Sequence, residues 1–164
     1  MLVNDQEREE LFRKSIEYSD GIVYISQYTK EDTETFYQSV LRKDMLSAVV
    51  YEAAVENTVS NLKEYKGKLP FEEYFIVLGN SYKHKCIDQT LEVARCSGYD
   101  FVFVGTRENG LIAKNIYGYK SGTLSEEHLD LLLRKSKAII FPSGYEGFGL
   151  PIVNAVNYRK KIVV

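Results

Sequence analysis

The stretch of the chain best suited to chemistry is Phe141-Pro-Ser-Gly-Tyr-Glu-Gly-Phe-Gly-Leu-Pro-Ile-Val-Asn154, which leaves an apolar strand-like run, turns through glycines and enters a helix-like run. Gly144, Gly147 and Gly149 are expected to take positive φ and to present backbone N–H groups with no side chain in the way. Pro151 suits the first turn of the helix, where its missing N–H leaves no bond unmade. A helix that opens behind exposed amides at the end of a strand attracts anions, and a sugar diphosphate fits such a place. Glu146, on the same loop, would then face a neutral, hydroxyl-bearing part of the ligand, where a carboxylate accepts hydrogen bonds. The alternative is a tight strand-to-helix turn whose glycines serve packing alone.

Lys83-His84-Lys85 stands at the start of another helix-like run. Positive charge there opposes the helix dipole by a few tenths to about 1 kcal/mol per charge, and an anionic ligand reverses the sign. Lys85 is the cation expected to close over a diphosphate, from the side opposite the Glu146 loop. The alternative is a solvated lysine beside Asp88 or Gln89.

Other patterns carry less. Gly105-Thr-Arg-Glu-Asn-Gly110 has the outer spacing of a P-loop, but Leu111 and Ile112 stand where Lys and Ser or Thr are required, and no GxGxxG fingerprint occurs. His84 and His128 are isolated from carboxylates and thiols at ligand spacing, so no metal site is expected, and His128 reads as helix surface. Cys86 and Cys96, about 15 Å apart along one helix, cannot pair and read as buried thiols of a reducing compartment. The 21 basic and 23 acidic residues, for a formal charge of -2, give no concentrated basic face for nucleic acid. The start, MLVNDQEREELF, is too charged for a signal peptide, and no apolar run approaches the ~20 residues of a membrane span.

These residues need a scaffold that brings distant loops together. Glu7–Tyr18 and Thr29 to about Leu41 read as helices, with strands at Gly21–Ser26 and Ala48–Tyr51, and residues 57–70 read as a linker. A clearer rhythm follows: strands at Tyr74–Leu78, Phe101–Val104, around Ile116, at Ala138–Phe141 and from Ile162, separated by helices at Ile87–Cys96 and Ser125–Lys135. Leu129, Leu132 and Leu133 supply the buried side of the last, and Ser125 caps it. Alternating strands and helices imply an α/β fold, a Rossmann-like parallel sheet with helices on both faces. Tyr74–Leu78, Phe101–Val104 and Ala138–Phe141 are expected to be parallel neighbours, with their ligand at the strand carboxyl ends.

The 141–154 segment, continuing through Ala155-Val156, resembles the signature of the group 1, or family 4, retaining glycosyltransferases. The resemblance extends back through Glu126–Ser136, Val104-Gly105 and Leu78-Gly79 to Lys85, and more weakly to residues 21–28. It implies a partial GT-B fold, with residues 1–66 as the end of the N-terminal domain and linker, and residues 67–164 as a donor domain truncated at its C-terminus. It further implies retaining transfer of a hexose from a nucleoside-diphosphate sugar, with Glu146 contacting the donor sugar. Lys85 and the amides of Gly147, Phe148, Gly149 and Leu150 would hold the diphosphate. In that family a second Glu lies eight positions after the first, where this chain has Asn154, and a basic residue follows the strand glycine, where it has Asn80. Both neutral residues are expected at the donor. No metal or separate cofactor is implied, and no Asp-x-Asp triplet occurs. The acceptor is an unspecified glycan, lipid or protein, and a cytoplasmic location, including the inner face of a membrane, is expected. The rival is a non-catalytic nucleotide-sugar-binding module or partner subunit of the same fold; a third reading is another nucleotide-binding α/β protein.

Overall fold

The computed structural model describes residues 5–53 and 67–164, apart from the side chain of Asn154. The chain divides into two compact units, Met1–Ala53 and Ala54–Val164. The expected linker, residues 57–70, lies largely outside the described residues.

In the first unit, helix α1 (Asp5–Glu17) precedes strand β1 (Gly21–Tyr24), helix α2 (Gln27–Phe36) and strand β2 (Leu46–Val49), and β1 and β2 pair in parallel. Helix α2 is shorter than the expected 29–41. It starts earlier because Ser26 Oγ accepts the Thr29 N–H at 3.0 Å, an N-cap. It stops at Tyr37, although Tyr37, Val40 and Leu41 continue a helical apolar spacing into a turn, where the Val40 N–H bonds Tyr37 O.

In the second unit the strands are β3 (Phe75–Leu78), β4 (Phe101–Thr106), β5 (Gly110–Ala113), β6 (Ile116–Lys120), β7 (Ala138–Ile140) and β8 (Lys161–Val163). They form one sheet in the order β5-β6-β4-β3-β7-β8. All neighbours are parallel except β5 and β6, so β3, β4 and β7 are parallel neighbours with β8 at their side, as expected, and β3 stands between β4 and β7. The antiparallel β5 corrects the expectation of a purely parallel sheet. Gly110, at φ 134°, turns the chain into it, and the buried Asn115 amide fixes the return by donating to Ala94 O at 3.0 Å and Tyr99 O at 2.8 Å.

The inner strands are apolar on both sides, as a covered parallel sheet requires. Helix α3 (Ile87–Cys96) packs Ile87 and Ala94 against Val77, Phe103 and Ile116 on one face. Helices α4 (Glu126–Lys135) and α5 (Leu150–Asn157) pack Leu132, Leu133 and Ala155 against Ile76, Val102 and Ile139 on the other. Ser125 caps α4 by accepting the His128 N–H at 3.2 Å, and Lys160 Nζ satisfies its far end at Arg134 O and Ser136 O. Two side-chain expectations change. His128 is half-buried, its Nε2 3.3 Å from the Tyr119 hydroxyl, and burial pushes its pKa down. Cys86 is half-buried and Cys96 exposed rather than both buried, because Cys86 caps α3 from outside it and Cys96 ends it on the solvent side. No described helix is long and apolar enough to cross a membrane.

Candidate functional site

The sheet changes direction at β3. The chain runs from β3 through α3 to β4 on one side, then returns through α4 to β7 on the other, so the crevice above the carboxyl ends of β3 and β7 is a topological switch point, where open α/β sheets bind ligands. The loops that meet there are residues 79–86 and 141–149.

Gly79 and Gly105, at the ends of β3 and β4, let these loops approach. A Cβ on Gly105, whose φ is 111°, would lie 1.9 Å from Gly79 O, and one on Gly79 would lie 2.4 Å from Ile87 Cδ1. Asn80 then folds back, its Oδ1 accepting the Tyr82 N–H at 3.0 Å, and Lys83–Lys85 makes one 3₁₀ turn. Cys86, left-handed at φ 49°, redirects the chain into α3. The turn leaves the His84 carbonyl pointing across the crevice.

That carbonyl receives the glycine loop. Gly144 N–H donates to His84 O at 2.8 Å, and the Ser143 hydroxyl lies 3.3 Å from the same oxygen and 2.9 Å from Tyr145 O. The Tyr145 ring meets the His84 ring edge-on at 6.3 Å, while Tyr82 stacks on His84 at 5.8 Å. Gly144 does not have positive φ; a Cβ there would make ordinary contact with His84 O at 3.9 Å. The positive φ falls on Gly149, at 86°, whose carbonyl opens α5 by accepting the Ile152 N–H at 2.8 Å.

The two charged residues singled out from the sequence meet directly. Lys85 Nζ donates to Glu146 Oε1, with 14% of the lysine side chain and 25% of the glutamate exposed. Lys85 also stands 5.4 Å from the centre of the Phe141 ring. For Glu146, burial works against charge, but hydrogen bonds from Lys85 and Ser143, with electrostatic attraction to Lys85 and His84, outweigh it and hold the carboxyl below its ordinary pKa. Cation and carboxylate are thus partners across one contact rather than on opposite sides of a gap. An ammonium has three N–H donors, so two remain for other acceptors.

Beside this pair lies a cavity of about 310 Å³, lined by Gly79, Asn80, Lys85, Phe141, Pro151 and Tyr158. Gly147 and Phe148 are half-buried on the loop, and Leu150 is the exposed first residue of α5. Asn154 lies in α5, with its side chain outside the description. Ser143, Phe141 and the His84 carbonyl were not singled out by type and spacing; their role is fixed by how the loops pack. Among the described residues no group of His, Cys, Asp and Glu could hold a metal ion.

No protein-family model matches the chain, and no curated protein sequence matches it. Solved structures do. TarM matches at a TM-score of 0.61 and 14% identity over 96% of this chain and 32% of its own. A glycosyltransferase from Rickettsia africae ESF-5 matches at 0.61 and 15% over 99% and 48%. The GtfA/B complex matches at 0.52 and 15% over 93% and 31%. The mixed α/β fold, a largely parallel sheet with helices, matches that of these GT-B glycosyltransferase neighbours. At such identities the likeness concerns fold, and the chain spans less than half the length of each of these structures.

Proposed function

We propose that the chain carries the donor-binding half of a retaining, metal-independent glycosyltransferase acting on a nucleoside-diphosphate hexose. The observation that carries this is the Lys85–Glu146 pair, set above the β3/β7 switch point and beside both the 310 Å³ cavity and the start of α5. Fixed by Glu146, the Lys85 ammonium turns its remaining N–H donors to phosphate oxygens and stabilises the charge that grows on the departing nucleoside diphosphate. The amides of Gly147 to Leu150 reinforce it at the helix start. Glu146 orients the hexose, and Asn80 and Asn154 supply neutral hydrogen bonds to the donor. Residues 1–66 are then the end of the N-terminal GT-B domain and the linker, and the acceptor is a glycan, lipid or protein. Calorimetric titration of the chain with UDP, GDP and their hexose conjugates tests the reading; absence of binding by all of them refutes it.

A second reading, a non-catalytic module or partner subunit of the same fold, is favoured by the neutral Asn80 where a second phosphate cation belongs, and a neighbour in fold, GtfA/B, is described as a complex. Binding of nucleotide sugar without hydrolysis or transfer in any longer form of the protein would select it.

A further inference from the structure

A larger cavity, of about 590 Å³, lies on the other face of the sheet, between α3 and the loop that follows β4. Its origin is topological. Neighbouring parallel strands are ordinarily joined by a crossover, usually a helix, that covers a sheet face. The link from β4 to β6 is instead the edge strand β5, and among the described residues α3 is the helix that packs on this face. The uncovered space is walled by residues 80–83 and 105–108 and lies within the usual size range of small-molecule pockets.

Both walls are held by local bonds. Thr106 Oγ1 donates to Glu108 O at 2.8 Å, and Asn109 Oδ1 accepts the Lys120 N–H at 2.7 Å. On the facing wall Asn80 holds Tyr82, and the Gly79–Gly105 contact sets the spacing of the strand ends. The floor is apolar: Ile87 is buried, and Leu91 and Ile112 are half-buried. The rim is charged but balanced, with Lys83 and Arg107 against Asp88 and Glu108, and the Gln89 amide among them.

We propose that this cavity binds a neutral sugar unit, the terminal part of an acceptor glycan. A pyranose has an apolar C–H face and a circle of hydroxyls that each donate and accept, which matches an apolar floor inside a rim of both signs. An ionic ligand would meet as many like charges as unlike ones. Asn80 lines this cavity and the one beside Lys85, so a sugar held here lies next to the proposed donor site. The word acceptor rests on the donor reading; the sugar site itself does not.

The test is amide NMR on the isotopically labelled full chain, titrated with maltotriose, chitotriose and mannotriose. Saturable shifts are expected at Leu91, Thr106 and Ile112, weakened about tenfold, the scale of one lost hydrogen bond, by Arg107→Ala or Gln89→Ala, both at exposed positions. The shifts should persist in Lys85→Ala and in the presence of saturating UDP or GDP. No saturable shift with any of the trisaccharides, shifts indifferent to both rim variants, or displacement by nucleoside diphosphate overturns the proposal. Sugar shifts without any nucleoside diphosphate binding would remove the donor reading and leave the sugar site standing; the reverse result would remove the sugar site alone.

Discussion

Gly144 donates its backbone N–H to the carbonyl oxygen of His84 at 2.8 Å, and this bond fastens the loop that carries Glu146 to the turn that carries Lys85. The ion pair is therefore placed by main-chain geometry as well as by its own charge. If the pair holds the phosphate end of a ligand, Lys85→Ala should weaken UDP or GDP binding by about 1–3 kcal/mol, the scale of a lost hydrogen bond to a charged group. The loss should shrink as salt is added. An unchanged dissociation constant, measured calorimetrically in one buffer, moves the phosphate site elsewhere.

Glu146→Gln separates the two roles of the carboxylate. Because Glu146 occupies one donor of Lys85 and brings like charge toward a phosphate, its neutral variant should bind the bare diphosphate as well as the wild type or slightly better. Affinity for the intact nucleotide hexose should fall. Equal losses for both ligands would mean that Glu146 only shapes the loop.

The pair also sets a pH dependence. The folded carboxyl titrates below its unfolded value, so its stabilising contribution is present above about pH 4.3 and is lost as the pH falls through the folded pKa. Carbon-detected NMR of the Glu146 carboxyl should give a midpoint below the ordinary glutamate value, and Lys85→Gln should move it upward, since burial then meets less opposition. A midpoint that ignores Lys85→Gln would show that the ion pair does not persist in solution.

Gly105 and Gly110 both have positive φ, but only Gly105 is crowded. Gly105→Ala should destabilise the second unit by about 2–5 kcal/mol, from backbone strain plus the clash with Gly79 O. Gly110→Ala, with nothing within 4 Å of the added Cβ, should cost about 1–2 kcal/mol. Denaturant midpoints followed by circular dichroism check the difference, and equal costs would contradict the close approach of the β3 and β4 ends.

What could be read in advance was whatever local chemistry fixes. Ile87–Cys96 is a helix with the expected bounds, and Ser125 with Leu132 and Leu133 gave α4 its cap and its buried side. That β3, β4 and β7 are parallel neighbours followed from the alternation of strands and helices, but not that β3 stands in the middle. The antiparallel β5 was not legible, because Gly110-Leu-Ile-Ala113 has no local mark of direction and depends on Asn115 reaching Ala94 and Tyr99. At the candidate site, residue types pointed to Lys85 and Glu146, but not to their contact. That contact depends on the His84 carbonyl, a backbone group invisible to any reading of side chains, and on Gly144 serving as a donor rather than as a left-handed hinge.

The division into two units has a consequence for amide exchange. The first unit joins its strands in a single pair, buries Ile16 and Tyr24, and leaves Val23, Phe36 and Leu46 mostly exposed, whereas the second unit encloses apolar clusters on both faces of a sheet. The first unit therefore has the thinner core of its own, and amide exchange within it should be faster than in the inner strands of the second.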